Sequence, residues 1–331
     1  MSSILSESSS ICPFCGSDAP GVYITRRDGV YFILECPVHG VHEEKVENDI
    51  DSFIHRYEMD YAQGPKHLVF PLTYRCNMKC PYCYSLSNTP EGNRIADRNR
   101  SQIESILRGR TENIMFSGGE PTIRQDLSGL IQYAKSILPD RRVSIATNGL
   151  KLANPSYAKT LKESGLDFIL FSLHDSGYEP EKIPGRKMQA LENMGRYNIP
   201  VWLSRTIESV RQIDSLLTIL ERFRKVIFHV TLRSAKPYGY FNPGKEVFIS
   251  DILKYLGKER DHEKGRSPFN CYIRIAGRRV KVSSWVCDTG RLDPIDDDIL
   301  IVDDRILPLH RGLRLDPILL PKYIKHTKKQ T

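Results

Sequence analysis

The sequence predicts an α/β fold: a parallel sheet in the middle of the chain, preceded by a small metal-binding β module. Three observations predict it. Between residues 67 and 232, six strand-like runs alternate with helical patterns, the order that crossover helices on a parallel sheet require. Two ligand-bearing turns, Cys12-Pro13-Phe14-Cys15 and Cys36-Pro37-Val38-His39, flank a predicted hairpin near the N-terminus. Three more cysteines, Cys76, Cys80 and Cys83, follow directly on the first strand of the series.

The strands are predicted at 67–73, 113–116, 142–147, 168–173, 201–207 and 226–232. Ser101-Gln102-Ile103-Glu104 reads as a capping box that starts the first helix. Asp126 is the expected N-cap of the next, where Leu127, Leu130, Ile131, Ala134, Ile137 and Leu138 recur at helical spacing. Asn154-Pro155 opens a third, with Pro at the first helical position. Residues 188–197 continue the series, and Ile213, Leu216, Leu217, Leu220 and Phe223 mark the last helix of it.

Three thiolates at the spacing of Cys76, Cys80 and Cys83 can hold a four-iron, four-sulfur cluster at three of its irons. The fourth iron is then open to a small chelating molecule, as a catalytic metal site keeps a vacancy where a structural one is closed. A zinc site is the other reading of the triplet by itself. One βα unit later comes Ser117-Gly118-Gly119-Glu120-Pro121-Thr122, after the apolar run 114–116. Two glycines at a strand end let the backbone approach a ligand closely. Glu120 is expected at the rim, its carboxylate suited to an ammonium group.

With these motifs the chain resembles the radical S-adenosylmethionine (SAM) enzymes over about residues 65–240. Cys76, Cys80 and Cys83 match that family's cluster loop, with the aromatic Tyr82 before the third cysteine, and Gly118, Gly119, Glu120 and Pro121 match its motif for the SAM amino group. The resemblance implies a partial, six-stranded (β/α) barrel with the site at the C-terminal ends of the strands. It also implies a 4Fe-4S cluster and SAM as cofactors, with an electron donor such as ferredoxin or flavodoxin. The implied chemistry is reductive cleavage of SAM to a 5′-deoxyadenosyl radical that abstracts a substrate hydrogen. Glu120 is the residue this assigns to the catalytic centre.

Alternation along the strands nominates further residues. Ser172 and His174 share one face of the fourth strand, Ser144, Ala146 and Asn148 one face of the third, and His229, Thr231 and Arg233 one face of the sixth. Small and polar faces suit a lumen that holds a polar cofactor. Asn148 and Ser172 are candidates for the SAM ribose or carboxylate, against the plainer roles of an Asn-Gly turn and a space-filling serine. Arg205 on the fifth strand either pairs with the SAM carboxylate or faces the outer helices. His174 and His229 read as structural.

Cys12, Cys15, Cys36 and His39 make a closed set of three thiolates and one imidazole, suited to tetrahedral zinc and also open to iron. Runs 22–25 and 30–34 around Arg26-Arg27-Asp28-Gly29 read as the hairpin that carries the two turns. A segment this short needs such a staple. This N-terminal zinc-ribbon or rubredoxin-like module followed by the cluster loop is similar to the group of pterin methylases and tetraether-lipid synthases. That resemblance implies methylation or carbon–carbon bond formation on a pterin-like or lipid substrate. The chain departs from the group in length and in having only Cys271 and Cys287 after the barrel, too few for a four-thiolate auxiliary cluster. Both read as core thiols.

The chain divides by sequence into the module and linker (1–62), the barrel (63–240) and a C-terminal region (241–331) expected to close the barrel mouth and shape the substrate pocket. There, 247–256 reads as a short helix, 271–285 as strand-like around Gly277, 293–298 as an acidic turn and 299–307 as a hairpin arm. Lys236, Tyr238 and Tyr240 lie where the sixth strand meets this region. No apolar run approaches the length of a membrane span, and the Ser-rich start lacks a signal-peptide core. Metal-type cysteine spacing then implies a reducing, cytoplasmic setting. The net charge of +8 is dispersed, with a denser group at 322–329 that reads as a solvated terminus, and no RNA-binding motif with interleaved aromatics argues for nucleic acid. A peptide-modifying or activating enzyme shares these motifs. A metal-stapled module that binds RNA or protein is the alternative of another class.

Overall fold

In a computed structural model, the described residues are 3–12, 15, 17–57, 67–80, 83, 87, 96–108, 113–173, 182–234, 246–258, 263–267, 270–275, 278–283, 298–302 and 305–308. Tyr82, His174, Lys236, Tyr238, Tyr240, Cys287, the acidic turn at 293–297 and the basic tail at 322–329 lie outside them.

The N-terminal module is a four-stranded antiparallel sheet, β1 (Ser3–Ile11), β2 (Asp18–Arg26), β3 (Gly29–Cys36) and β4 (Gly40–Glu47), in that order. The predicted hairpin is β2–β3, with Val22 opposite Ile33 and Ile24 opposite Tyr31. Alternation buries Tyr23, Val30, Phe32, Leu34 and Val46 on one face, and Phe53 of helix α1 (Ile50–Tyr57) covers them. The Ser-rich start forms β1, held by pairing with β2 rather than by an apolar pattern of its own.

The second sheet begins with β5 (His67–Thr73), β6 (Asn113–Gly118), β7 (Val143–Thr147), β8 (Phe168–Ser172), β9 (Val201–Ile207) and β10 (Ile227–Ser234). These six are parallel and adjacent in sequence order. Between them run α2 (Arg100–Leu107), α3 (Leu127–Ile137), α4 (Pro155–Glu163), α5 (Lys182–Arg196) and α6 (Gln212–Arg222). Leu68, Phe70, Phe116, Ile145, Phe171, Leu203 and Leu232 face the helices and are buried with Ile103, Ile131, Leu161, Leu191 and Leu216. The opposite face carries the small and polar positions read from the sequence.

Two helix starts differ from the expected ones. The capping box of α2 is Asn99 with Gln102, not Ser101 with Glu104: Asn99 accepts from the Gln102 N–H and Gln102 returns the bond. Asp126 stands at the N-cap of α3 but makes no cap bond, because the Arg124 guanidinium holds its carboxylate at 2.9 and 2.6 Å. Asn154 caps α4 as expected, accepting from Ser156 N at 3.0 Å.

The C-terminal region holds α7 (Ile249–Tyr255), β11 (Glu263–Ser267), β12 (Asn270–Ile275), β13 (Arg278–Ser283), β14 (Asp298–Val302) and β15 (Arg305–Pro308). Its described strands join the large sheet. They extend the same sheet at both edges, β13 parallel to β10 and β14 parallel to β5, giving the order β11-β12-β13-β10-β9-β8-β7-β6-β5-β14-β15. Among the described strands, the two ends of this order, β11 and β15, are not paired with each other.

Candidate active site

A cleft opens at the C-terminal ends of β5 to β8. It is lined by Cys76, Cys80 and Cys83 on one side and by Gly118, Gly119 and Glu120 after β6 on another. Asn148 after β7, Ser172 at the end of β8 and Lys187 on α5 complete it. Residues that the sequence separates by more than a hundred positions thus meet at one place.

The glycine pair, besides lining the cleft, is required by the protein's own packing. Gly118 has φ +110°, and a β-carbon there would meet the Thr73 carbonyl oxygen closer than 3.0 Å. One on Gly119 would meet the Arg75 carbonyl in the same way. Gly119 N donates to Thr73 O at 2.6 Å and Glu120 N to Arg75 O at 2.9 Å. The backbone that leads into Cys76 lies directly on the two glycines.

Glu120 is not at the rim. It is buried, and its carboxylate accepts from Thr122 N (3.0 Å), Thr122 Oγ1 (2.6 Å), Thr147 Oγ1 (2.7 Å) and Asn148 N (2.7 Å). Burial raises its pKa above the usual carboxylate range, against the four donors. Asn148 in turn donates from Nδ2 to Asn77 Oδ1 at 2.8 Å and so ties the β7 turn to the cysteine loop. Arg205 is buried away from the cleft: its Nη2 donates to Ser215 Oγ on α6 at 3.0 Å, the outer-helix placement of the two that the sequence allowed.

The fully buried cation of the cleft is Lys187, which the strand patterns do not nominate because it lies on a helix. A signal for it exists in the helix itself. Lys187, Ala190, Leu191 and Met194 occupy one helical stripe, and all four are buried. A lysine on an apolar stripe is rarely buried without a polar purpose.

The donor set of the cleft fits an iron–sulfur cluster. A single tetrahedral ion at about 2.3 Å from each sulfur would hold the thiolates about 3.8 Å apart. Among the described residues, only the N-terminal quartet gathers three or more ligand atoms within 4.8 Å, so the triplet is not drawn together as a single tetrahedral ion would draw it. Burial, with Glu120 and the two other cysteines adding to it, pushes the Cys76 thiol up to about 12. A thiol so placed is held as thiolate only by a cation beside it.

The N-terminal quartet fits zinc. Tetrahedral zinc sets two sulfurs about 3.8 Å apart and a sulfur and an imidazole nitrogen about 3.6 Å apart. Cys15 and Cys36 Sγ lie 3.8 Å apart, and His39 Nδ1 lies 3.6 Å from both Cys12 and Cys36 Sγ. The Val38 N–H, foremost, lowers Cys36 to about 6, and Cys36 raises His39. Cys271 is a buried core thiol, pushed by burial to about 12.

Residues 70–208 match the model of the radical SAM superfamily. The chain carries a radical SAM domain. Residues 4–48 match the HMPTM N-terminal zinc ribbon domain, so the module in front of it is a zinc ribbon. A radical SAM domain uses a 4Fe-4S cluster and SAM, and the cleft presents the ligands for the first. The Fe-coproporphyrin III synthase of Methanosarcina barkeri is 33% identical over 236 residues, 63% of this chain and 58% of that protein. The 7,8-dihydro-6-hydroxymethylpterin dimethyltransferase of Methanocaldococcus jannaschii is 30% identical over 203 residues, 52% of this chain and 39% of that protein. The chain thus matches less than two thirds of the length of either relative. The solved structure of Streptococcus suis SuiB bound to precursor peptide SuiA has the same fold, with a TM-score of 0.53 at 12% identity over 93% of this chain and 84% of that one. No helix among the described residues is long and apolar enough to cross a membrane.

Proposed function

We propose that the chain is a radical SAM enzyme that binds a 4Fe-4S cluster on Cys76, Cys80 and Cys83 and SAM in the cleft beside it. The observation that carries this is the convergence of the three cysteines, the glycine pair, Asn148 and Lys187 on one cleft. When bound, cluster and SAM supply reductive cleavage of the sulfonium to a hydrogen-abstracting 5′-deoxyadenosyl radical, with the electron coming from a ferredoxin- or flavodoxin-type donor in the cytoplasm.

The chain's own residues position these groups. Backbone N–H bonds at Gly119 and Glu120 seat the cysteine loop. Glu120 acts as a positioning residue, fixing the β6 and β7 turns against each other. The Lys187 ammonium, buried where water cannot screen it, is the partner for the SAM carboxylate, while Arg205 bonds Ser215 on the outer helix and is not among the residues that line the cleft. Asn148 and Ser172 offer an amide and a hydroxyl to the SAM ribose. The zinc ribbon is structural. Residues 63–240 hold the cofactors, and 241–331 complete the substrate side.

The substrate reading follows the similar proteins, whose names specify a porphyrin and a pterin. We read this chain as acting on a small planar heterocycle, by methylation or carbon–carbon bond formation. The test is anaerobic reconstitution with iron and sulfide, reduction with dithionite, addition of SAM, and assay for 5′-deoxyadenosine and methionine. Formation of both, abolished in Cys80→Ala, supports the proposal. A cluster whose electron paramagnetic resonance spectrum ignores SAM leaves a metal-stapled binding module.

A further inference from the structure

The inward face of the sheet does not end at the cofactor cleft. Ser172 on β8 is in register with Ser204 on β9, Ser204 with Thr231 on β10, Thr231 with Lys281 on β13, and Lys281 with Tyr272 on β12. In-register neighbours share a face. The alternate residues, Leu203, Val230, Leu232, Val280, Val282, Cys271 and Ile273, belong to the helix-side core, so the row Ser172 to Tyr272 lies on the inward face. From Ser172 to Lys281 are three strand spacings, about 14 Å.

Toward the strand starts this row borders Trp202 and His229, whose rings meet edge to face at 4.9 Å between centroids. His229 continues to Tyr272 at 6.4 Å, and Trp202 to Phe168 at 6.3 Å. Trp202 Nε1 donates to Thr231 Oγ1 at 2.8 Å, which fixes the indole on the wall. On the other side of the row stands Arg233, anchored through Nη1 to Ser204 Oγ at 3.2 Å. Trp202, His229, Arg233 and Lys281 are each only partly buried. Among the described inward positions of β9, β10, β12 and β13 there is no carboxylate, while Arg233, Arg274 and Lys281 are cationic; the nearest acid in the register is Glu263, opposite Tyr272 on the edge strand β11.

An aromatic strip beside an anchored guanidinium and a half-buried lysine, in one row with the cofactor cleft, suits a particular chemistry. Rings stack on conjugated ring systems, and guanidinium and ammonium groups take carboxylate or phosphate. We propose that the β9–β10–β13–β12 wall is the substrate surface and that it takes a planar conjugated anion. The ring lies over Trp202, His229 and Tyr272, and the anionic group is held by Arg233 and Lys281. This rests on the radical SAM reading and names the substrate chemistry and its anchors. The anion has two sources, the carboxylates of a tetrapyrrole or the phosphate of a pterin.

The test is equilibrium dialysis of anaerobic, cluster-loaded protein against two probes, a tetracarboxylate porphyrin and a phosphorylated pterin, with the porphyrin methyl ester and the unphosphorylated pterin as neutral counterparts. We expect wild type to bind one charged probe at least about tenfold more tightly than its neutral counterpart, and which probe does so identifies the source of the anion. Lys281→Gln and Arg233→Gln each weaken that binding by about tenfold or more, and Lys281→Arg restores it, which separates loss of charge from loss of fold. Binding that ignores probe charge, equal binding by Lys281→Gln and wild type, or no binding of either probe overturns the inference. The SAM-induced change in the cluster's paramagnetic spectrum is recorded on the same wild-type samples. Its absence with charge-dependent probe binding intact overturns the enzyme reading and not the wall, and its presence without such binding overturns the wall alone.

Discussion

Gly119 lies against the Arg75 carbonyl so closely that a β-carbon would come within 3.0 Å of three backbone atoms of Tyr74 and Arg75. Backbone cannot rotate out of the way as a side chain does. Gly119→Ala must therefore push the segment between β5 and Cys76 off its seat, with a cost at or above the usual overpacking range of about 1–3 kcal/mol. We expect reconstituted Gly119→Ala to hold less than about half the wild-type iron and sulfide while keeping its zinc, because the zinc ligands belong to the separate four-stranded module. Iron, sulfide and zinc analysis of the same preparation checks it. Full iron content would show that the loop does not depend on this seat.

Glu120 gives a pH prediction. Burial raises its pKa in the folded protein above the ordinary value of 4.5. A carboxyl with a raised folded pKa binds more protons folded than unfolded. Its contribution to stability is full below the unfolded value and is lost as pH rises through the folded one. In zinc-loaded, cluster-free protein, wild-type melting temperature should thus fall relative to Glu120→Gln as pH rises from about 4.5 toward neutrality. Gln also brings an N–H₂ group toward obligate donors, Thr122 N or Asn148 N, a loss of about 1–3 kcal/mol at all pH values. Melting curves of both proteins across that range decide the matter, and parallel pH profiles would count against it.

Lys187 is predicted to act on SAM and not on the cluster. Its removal takes one charge-assisted bond from the SAM carboxylate, about 1.5–3 kcal/mol, or roughly tenfold to a hundredfold in affinity. Lys187→Met keeps the length of the side chain and its place on the α5 stripe. We expect it to hold wild-type iron and to bind SAM at least about tenfold more weakly by anaerobic calorimetry. Unchanged SAM affinity would assign Lys187 to the fold.

Much of this site is legible in the sequence because two kinds of signal are local. Metal ligands at fixed spacing declare Cys12, Cys15, Cys36, His39 and the Cys76–Cys80–Cys83 loop, and strand alternation places Asn148 and Ser172 on the inward face. What does not read is what depends on distant partners. The glycine pair does line the cleft, but nothing local says that the Thr73–Arg75 backbone also lies on it. Glu120 resembles a rim carboxylate because Thr147 and Asn148, its donors, come from the next strand. The alternation of 271–285 and 299–307 marks strands, but the edge of the sheet each joins is a matter of register with β10 and β5.

A buried ion pair between the zinc ribbon and α1 has no signal in the sequence at all. Glu47, at the end of β4, and Arg56, on α1, are each 1% exposed and meet at 2.5 Å. Ser250 at the start of α7 donates to the same carboxylate from its backbone N–H and its hydroxyl, and Asn48 reaches Asp251. The zinc ribbon is thus pinned through one buried acid to the C-terminal region that flanks the proposed substrate wall. Glu47→Ala leaves the Arg56 charge buried without this acid, and we expect a loss of about 3–5 kcal/mol in urea unfolding. Replacing both charges with apolar residues, Glu47→Leu with Arg56→Met, should return most of it, because a buried pair gains little over a packed apolar contact. If the single variant costs less than about 1 kcal/mol, the buried pair is not what holds the ribbon in place. If the double variant is as unstable as the single one, the bonds from Ser250 outweigh the ion pair itself.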